Sequence, residues 1–254
     1  MVTLSRVWTT GINGLWTVDS LKKYYYIARY GNHSHYAFYL KDDMEILELG
    51  AAENSYLPDN LKTKRHVGVG LNQKLMDENP ALTETMIVDL NNVVEGRDVD
   101  DDNFRKLAEN PFDTVIMANT VEFLTFPREV LRSAWYMLKP GGQMFIVFSG
   151  KDAPMNKNFE RASTKIWRDY NDDQHMWICG SIFEFSAGEG WESLRGFDIS
   201  PDSARDITTD ENPIQKLFVK GKRNNVFVVQ ARKAIQDESL NLDNLEKSIN
   251  SKTW

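Results

Sequence analysis

The chain has 254 residues, of which 41% are hydrophobic and 26% charged, as in an ordinary globular domain. Its formal net charge is −7, and because non-specific nucleic-acid binding depends on Lys and Arg neutralising phosphates, we expect no nucleic-acid partner. The longest apolar run, Met144–Phe148, is far shorter than the ~20 residues that cross a bilayer, so we expect no transmembrane segment.

The single cysteine, Cys179, excludes an intrachain disulfide, and no Cys/His spacing typical of a zinc site is present. The stretch Met1–Gly14 has no apolar core and one charge, Arg6, so it does not read as a secretory signal or a transit peptide. We therefore expect an intracellular protein without a metal, in the cytoplasm or inside an organelle, although a targeting peptide removed earlier would leave no trace.

Residues 1–43 are rich in Trp and Tyr, and we interpret them as a helical cap packed over a sheet, with a lid over a ligand site as the alternative. The next part of the chain alternates apolar runs with helical segments. Five of these runs are predicted strands: Met44–Leu49, Arg65–Leu71, Thr85–Asp89, Phe112–Ala118 and Gln143–Ser149. Strands separated by helices imply a mostly parallel sheet that is covered on both faces.

Two helices between these strands have clear signals. Asn72 is placed to cap a helix that begins at Gln73. Apolar residues recur with helical period over Pro127–Leu138, and Pro140-Gly141-Gly142 is expected to end that helix and turn the chain. The acidic stretch Glu95–Asp102 is predicted to form an exposed loop.

Beyond Pro154 the pattern changes. Helices are predicted over Phe159–Tyr170 and Ser181–Phe185, and strands over Trp191–Ser200 and Asn225–Ala231. The turn Lys220-Gly221-Lys222 favours an antiparallel hairpin at the sheet edge. The predicted fold is a Rossmann-like, doubly wound α/β domain over residues 44–233, followed by a tail, 234–254, whose leucines suggest an amphipathic helix on the domain or on a partner.

In an open parallel sheet, ligands bind outside the carboxyl ends of the strands, so the first strand-to-helix turn is the expected site. It contains Gly50, Ala52 and Ser55 where a dinucleotide-binding loop would carry three glycines, which is a weak signal. An acidic residue that would hold ribose hydroxyls is expected at position 70, which is Gly70, and Asn72 is the nearest polar residue.

Four stretches in this order resemble one family: ILELGAA, HVGVGLN, VDLNN and FDTVIMANTVEFLTFPREVLRSAWYMLKPGG. They are similar to the class I S-adenosylmethionine-dependent methyltransferases, closest to the type 11 group. The later segments FSGKDAPMNKNFERASTKIWRDYNDDQH and GSIFEFSAGEGWESLRGFDISP resemble a largely uncharacterised branch of that family found in plants, algae and bacteria. The resemblance covers residues from about 44 to 233.

The resemblance implies S-adenosylmethionine as the cofactor and places parts of it on named residues. Leu71 and Asn72 would lie near the ribose and adenine, Asp89 and Leu90 would flank the adenine, and Asn119 would lie beneath the sulfonium and the methyl acceptor. The methionine end would be lined by Glu48, Gly50, Ala51, Ala52, Glu53 and Asn54. The loop departs from the family at Ala52, where a glycine is usual, and at Gly70.

No motif identifies a catalytic base, which methyl transfer needs only when the acceptor must lose a proton. Glu122, after the fourth strand, and His175 are weak candidates. A solvated or helix-capping carboxylate is the favoured interpretation of Glu122, and a structural, hydrogen-bonded histidine that of His175. Cys179 is interpreted as a small buried side chain.

Three functions remain open from the sequence. The first is a methyltransferase that acts on a small molecule or a protein. The second is a catalytically inactive methyltransferase-like scaffold or assembly subunit, which would bind a protein complex through its N-terminal segment or C-terminal tail. A nicotinamide dehydrogenase ranks third, because the phosphate-binding glycines are incomplete.

Overall fold

A computed structural model of the protein describes residues 32–92, 102–150, 167, 169–200 and 225–235. Its centre is a seven-stranded sheet in the order β3-β2-β1-β4-β5-β7-β6. The strands are β1 (Glu45–Leu49), β2 (Arg65–Gly70), β3 (Glu84–Ile87), β4 (Phe112–Ala118), β5 (Leu138–Ser149), β6 (Trp191–Asp198) and β7 (Val226–Lys233). The first five are parallel, and β7 pairs antiparallel with both β5 and β6.

Helices pack on both faces of this sheet. They are α1 (32–39), α2 (Gln73–Asp77), α3 (Asp102–Lys106), α4 (Pro127–Met137) and α5 (Asp172–Ala187). The larger hydrophobic core lies between the sheet and the side that carries α3, α4 and α5, with Leu131, Phe148 and Phe183 among its fully buried members. The smaller core lies on the opposite face, where Tyr36 and Leu40 cover the sheet. The doubly wound α/β fold with an antiparallel C-terminal edge is therefore confirmed.

The structure corrects the expected turn at Pro140-Gly141-Gly142. Helix α4 ends at Met137, and these three residues lie inside β5, which begins at Leu138 and pairs there with Phe112. The register shifts between Phe112 and Thr114, so the extra residues form an irregularity in a continuous strand. Gly141 has φ +76, a conformation that side chains disfavour, which explains how the chain deforms without leaving the sheet.

Helix α5 is much longer than the predicted Ser181–Phe185. It begins at Asp172 behind a capping box, in which the Asn171 side chain accepts from the backbone N–H of Gln174 and the Gln174 side chain accepts from that of Asn171. The polar run before His175 is thus the helix start. The predicted hairpin is also modified, because β7 lies between β5 and β6 and leaves β6 as the edge.

Several predicted segments lie outside the described residues. They are most of the N-terminal cap, the acidic loop apart from Asp102, the helix over Phe159–Tyr170 apart from its last residues, the turn at Lys220–Lys222, and the C-terminal tail beyond 235. In the part of the chain that is described, no helix combines the length and apolar character needed to cross a membrane.

Candidate functional site at the carboxyl edge of the sheet

The loops that follow β1, β2, β3 and β4 meet at one edge of the sheet. Strand β1 lies between β2 and β4, so the chain moves outward in both directions from it and the strand order reverses there. At such a point the loops on the two sides of the reversal run in opposite directions, and a crevice for a ligand forms between them, outside the strand ends. Most of the residues expected at a cofactor site are carried by these four loops.

The turn after β1 is built without a helix. Residues 51–64 have no helical or strand structure. The expectation that a helix follows the turn after β1 is therefore wrong. Gly50 has φ +85, and a Cβ on it would lie 2.0 Å from Thr120 Oγ1. Only glycine is compatible with this conformation and this close approach to the loop after β4.

The two backbone N–H groups at the start of this turn are already used. Gly50 N and Ala51 N both donate to the carbonyl oxygen of Val69, at 2.8 and 2.9 Å. Because a backbone N–H is one donor, neither group remains to bind a ligand while these bonds persist. The turn can therefore offer close approach and shape, but not these two donors.

Asn79 holds the rest of this loop and was missed by the sequence interpretation. Its side-chain nitrogen donates to Ala52 O at 2.8 Å and to Ser55 Oγ at 2.9 Å, and its oxygen accepts from Ala81 N at 3.0 Å. Asn79 is 5% exposed, so these bonds are shielded from water. Glu53 and Asn54 are half-buried on the loop that Asn79 holds in place.

At the end of β2 there is no room for a side chain at position 70. A Cβ on Gly70 would lie 2.3 Å from the carbonyl oxygen of Ala51 and 3.0 Å from the sulfur of Met76. The loop after β1 thus occupies the space from which a carboxylate at position 70 would project. Leu71 is 70% exposed, and the Asn72 side chain accepts from Leu75 N and caps α2, as predicted.

The loop after β3 contains Asp89 and Leu90. Asp89 Oδ1 accepts from the backbone N–H of Asn91 at 3.0 Å, and its Oδ2 makes no hydrogen bond within the described residues. The Asn91 side chain bridges to the loop after β4, because it donates to Phe123 O and accepts from Thr125 N. The loops after β3 and β4 are therefore tied together.

Asn119 begins the loop after β4 in a left-handed conformation, with φ +49. Its side-chain oxygen accepts from Ser149 Oγ, at the end of β5, at 2.8 Å. Asn is one of the few residues that adopt this conformation at low cost. The loop is thus aligned by β5 on one side and by Gly50 on the other.

Glu48 lies beneath the turn, on the face covered by α1. It is 3% exposed, and its Oε2 lies 3.3 Å from Nε2 of the fully buried His66. The geometry of this contact is not that of a hydrogen bond. Nδ1 of His66 lies 2.9 Å from Ala81 O and therefore carries a proton, because a carbonyl only accepts. The Glu48 charge also contributes, after burial, to raising the pKa of Tyr36 well above its ordinary value.

The two weak candidates for a base are both buried. Glu122 is 2% exposed on the 3-10 turn Val121–Phe123, so the solvated or capping interpretation of it is wrong. His175 is fully buried, stacks on Trp167 and hydrogen-bonds through Nε2 to Trp167 O, which confirms the structural interpretation. Cys179 is fully buried, as predicted.

A match to a known family decides what this fold is. Residues 24–185, well over half of the chain, match the family described as methyltransferase domain. The chain belongs to the methyltransferase domain family. This family is S-adenosylmethionine-dependent, and its match spans β1 to β5 and nearly all of α5, and so includes every loop of the edge described above.

The chain is similar, at low identity, to solved structures of S-adenosylmethionine-dependent methyltransferases. An Archaeoglobus fulgidus enzyme is 11% identical, with 84% of this chain and 94% of that chain covered and a TM-score of 0.49. The N-methyltransferase NodS from Bradyrhizobium japonicum, in complex with S-adenosyl-L-homocysteine, is 12% identical, with 84% and 86% covered and a TM-score of 0.44.

A Haloferax volcanii methyltransferase, in complex with the Trm112 methyltransferase activator, is 12% identical, with 86% and 96% covered and a TM-score of 0.49. No curated protein matches the chain. The family assignment therefore rests on the match over residues 24–185.

Proposed function

We propose that this protein transfers a methyl group from S-adenosylmethionine to a small-molecule or protein acceptor at the carboxyl edge of β1 to β4. The observation that carries the proposal is the convergence of the four loops at the point where the strand order reverses, within the matched family region. The bound cofactor supplies a methyl group on a sulfonium, which is already activated for transfer.

The residues at this edge fit the two ends of the cofactor. The turn from Gly50 to Ala52 carries no large side chain, so the backbone can approach the methionine end closely. Asp89 keeps one carboxylate oxygen without a hydrogen bond in the described residues and can accept one from the adenosine side. At the ribose, where Gly70 offers nothing, the amide nitrogen of Asn72 is the available donor.

The contribution of the chain to the reaction is alignment. Asn119, held by Ser149, borders the place expected for the sulfonium and the acceptor. Glu122 and His175 are buried, so neither is assigned here as a base, and the role proposed for the described residues is to align the reactants and exclude water.

Calorimetric titration of the full chain with S-adenosylmethionine and S-adenosylhomocysteine tests the proposal. We expect binding by the natural chain, and affinity reduced roughly 10- to 150-fold in Asp89→Asn, because loss of one charge-assisted hydrogen bond costs roughly 1.5–3 kcal/mol. Asp173→Asn, the same substitution at an exposed residue in the first turn of α5, should bind like the natural chain. Absence of heat at millimolar ligand would refute the proposal.

A second function, that of a scaffold that does not catalyse, is favoured by three features of the chain at the carboxyl ends of β1 and β2. Residues 51–64 form no helix, the N–H groups of Gly50 and Ala51 are engaged by Val69, and position 70 cannot carry a carboxylate. Purification from the native source separates the two functions. A stoichiometric complex whose methyltransferase-like subunit binds neither ligand supports the scaffold, and co-purified cofactor supports the enzyme.

A further inference from the structure

The Glu122 carboxyl group is buried and has no hydrogen-bond partner in the part of the chain that the structure describes. It lies on the turn Val121–Phe123, directly after β4, and its side chain is 2% exposed. Each of its two oxygens exposes less than 1 Å² and makes no hydrogen bond to a described residue. A buried polar group without a partner is rare in native structures, and its presence therefore needs a structural or functional reason.

The surroundings of Glu122 are apolar. Its neighbours in sequence, Val121 and Leu124, belong to the larger core together with Cys179 of α5. The two basic side chains of α4 are engaged with other groups: Arg128 pairs with Glu129, and Arg132 donates to the carbonyl oxygen of Ser186. Among residues 32–92, 102–150, 169–200 and 225–235, an ionised carboxylate at this position would have no counter-ion, and burying such a charge is costly.

Burial raises the pKa of Glu122 to about 7. The nearby backbone N–H of Glu122, which does not meet hydrogen-bond geometry, offsets this shift only in part. Among the described residues, the titratable side chain that senses this charge is Cys179. Burial, and then Glu122, raise the pKa of that thiol well above its ordinary value, so it stays neutral.

The turn that carries Glu122 is connected to two loops of the proposed donor site. Thr120, one residue before the turn, packs directly on Gly50 after β1. Phe123 O and Thr125 N both bond to the side chain of Asn91, two residues after Asp89. A displacement of residues 120–125 would therefore disturb both loops at once.

We propose that residues 120–125 form a latch that is closed while the Glu122 carboxyl is protonated and buried, and that opens when this group ionises and moves to water. In the closed latch the loops after β1 and β3 are held in the arrangement described above. In the open latch both lose a contact that aligns them. The effect on the affinity for S-adenosylmethionine rests on the proposed function. The opening of the latch does not depend on that function.

The direction of the pH effect follows from the raised pKa. The folded state prefers the protonated carboxyl, so the stabilising effect of the closed latch is complete below pH 4.5 and is lost as the pH rises through about 7. With a pKa of about 7, the protonated fraction of Glu122 falls from about 90% at pH 6 to about 10% at pH 8. If ionisation opens the latch and S-adenosylmethionine binds only the closed form, the apparent affinity falls about tenfold over this range.

Titration with S-adenosylhomocysteine at pH 6 and pH 8 tests the latch. We expect the natural chain to bind about tenfold more weakly at pH 8. Glu122→Gln cannot ionise at this position. Its affinity for S-adenosylhomocysteine should therefore differ between pH 6 and pH 8 only through the ionisation of the ligand itself. Glu122→Met, an apolar side chain of similar length, serves as a second variant if the glutamine destabilises the core. Equal pH dependence in the natural chain and both variants would overturn the proposal.

Hydrogen–deuterium exchange without ligand separates failure of the latch from failure of the proposed function. After correction for the intrinsic effect of pH, residues 119–125 and 89–92 should lose protection between pH 6 and pH 8 in the natural chain and keep it in both variants. If protection is lost in this way but no ligand binds, the latch is supported and the proposed S-adenosylmethionine site is refuted. Unchanged protection in the natural chain would overturn the latch whatever the binding results.

Discussion

Replacing Gly70 by an acidic residue tests how the carboxyl edge of β1 and β2 is built. Gly70→Asp would supply the carboxylate that a ribose site calls for, yet its Cβ would lie 2.3 Å from the carbonyl oxygen of Ala51. Real Cβ atoms essentially never come within 3.0 Å of such a neighbour, and a backbone oxygen cannot swing away like the end of a side chain. We therefore expect the substitution to displace the loop after β1.

The cost of this displacement can be worked from the contacts that it breaks. Overpacking of a tight interior site costs roughly 1–3 kcal/mol. Moving Ala51 also breaks the bonds from Gly50 N and Ala51 N to Val69 O, which contribute about 0.5–1.5 kcal/mol each. The total of about 2–6 kcal/mol corresponds to a fall in the melting temperature of roughly 5–20 °C for a chain of this size.

Thermal unfolding of Gly70→Ala and Gly70→Asp measures this cost, and Gly70→Ala isolates the clash from the charge. Gly180→Ala is the matched control, because a Cβ there meets nothing within 4 Å inside α5 and should stabilise the helix slightly. Asn72→Asp, which adds a carboxylate at an exposed position, should fold like the natural chain. A Gly70→Ala variant that melts within about 2 °C of the natural chain would refute the reasoning.

Three further substitutions test contacts that hold the domain together, each by chemical denaturation. Lys233→Met should cost about 1–3 kcal/mol, because Nζ donates to the carbonyls of Trp135 and Leu138 at 2.8 Å each and lies over the Trp135 ring; an unchanged midpoint would contradict it. Asn79→Ala should cost about 2–4 kcal/mol, because three hydrogen bonds of a buried side chain are lost, and should raise proteolysis within 51–64. Asn171→Ala should cost about 1 kcal/mol, and Asn171→Ser should recover most of it, because serine also caps helices.

The positions of most strands and of α4 follow from the sequence alone. β4 matches its predicted bounds, and β1, β2 and α4 match theirs to within one residue, because buried parallel strands leave continuous apolar runs and amphipathic helices leave a periodic pattern. The Asn72 cap is equally local, since it depends on residues three positions apart. The order of elements along the chain was therefore enough to predict the fold class.

Contacts between distant segments decided the rest. The space beside Gly70 is filled by Ala51, the environment of Glu122 includes a residue of α5, and β7 inserts between β5 and β6. A sequence pattern records which residues are apolar, but not which backbone oxygen lies against a strand or whether a carboxyl group meets water or core. Whether position 70 has room for a side chain, and whether Glu122 is solvated, are set by packing across the domain, and only the tertiary structure specifies them.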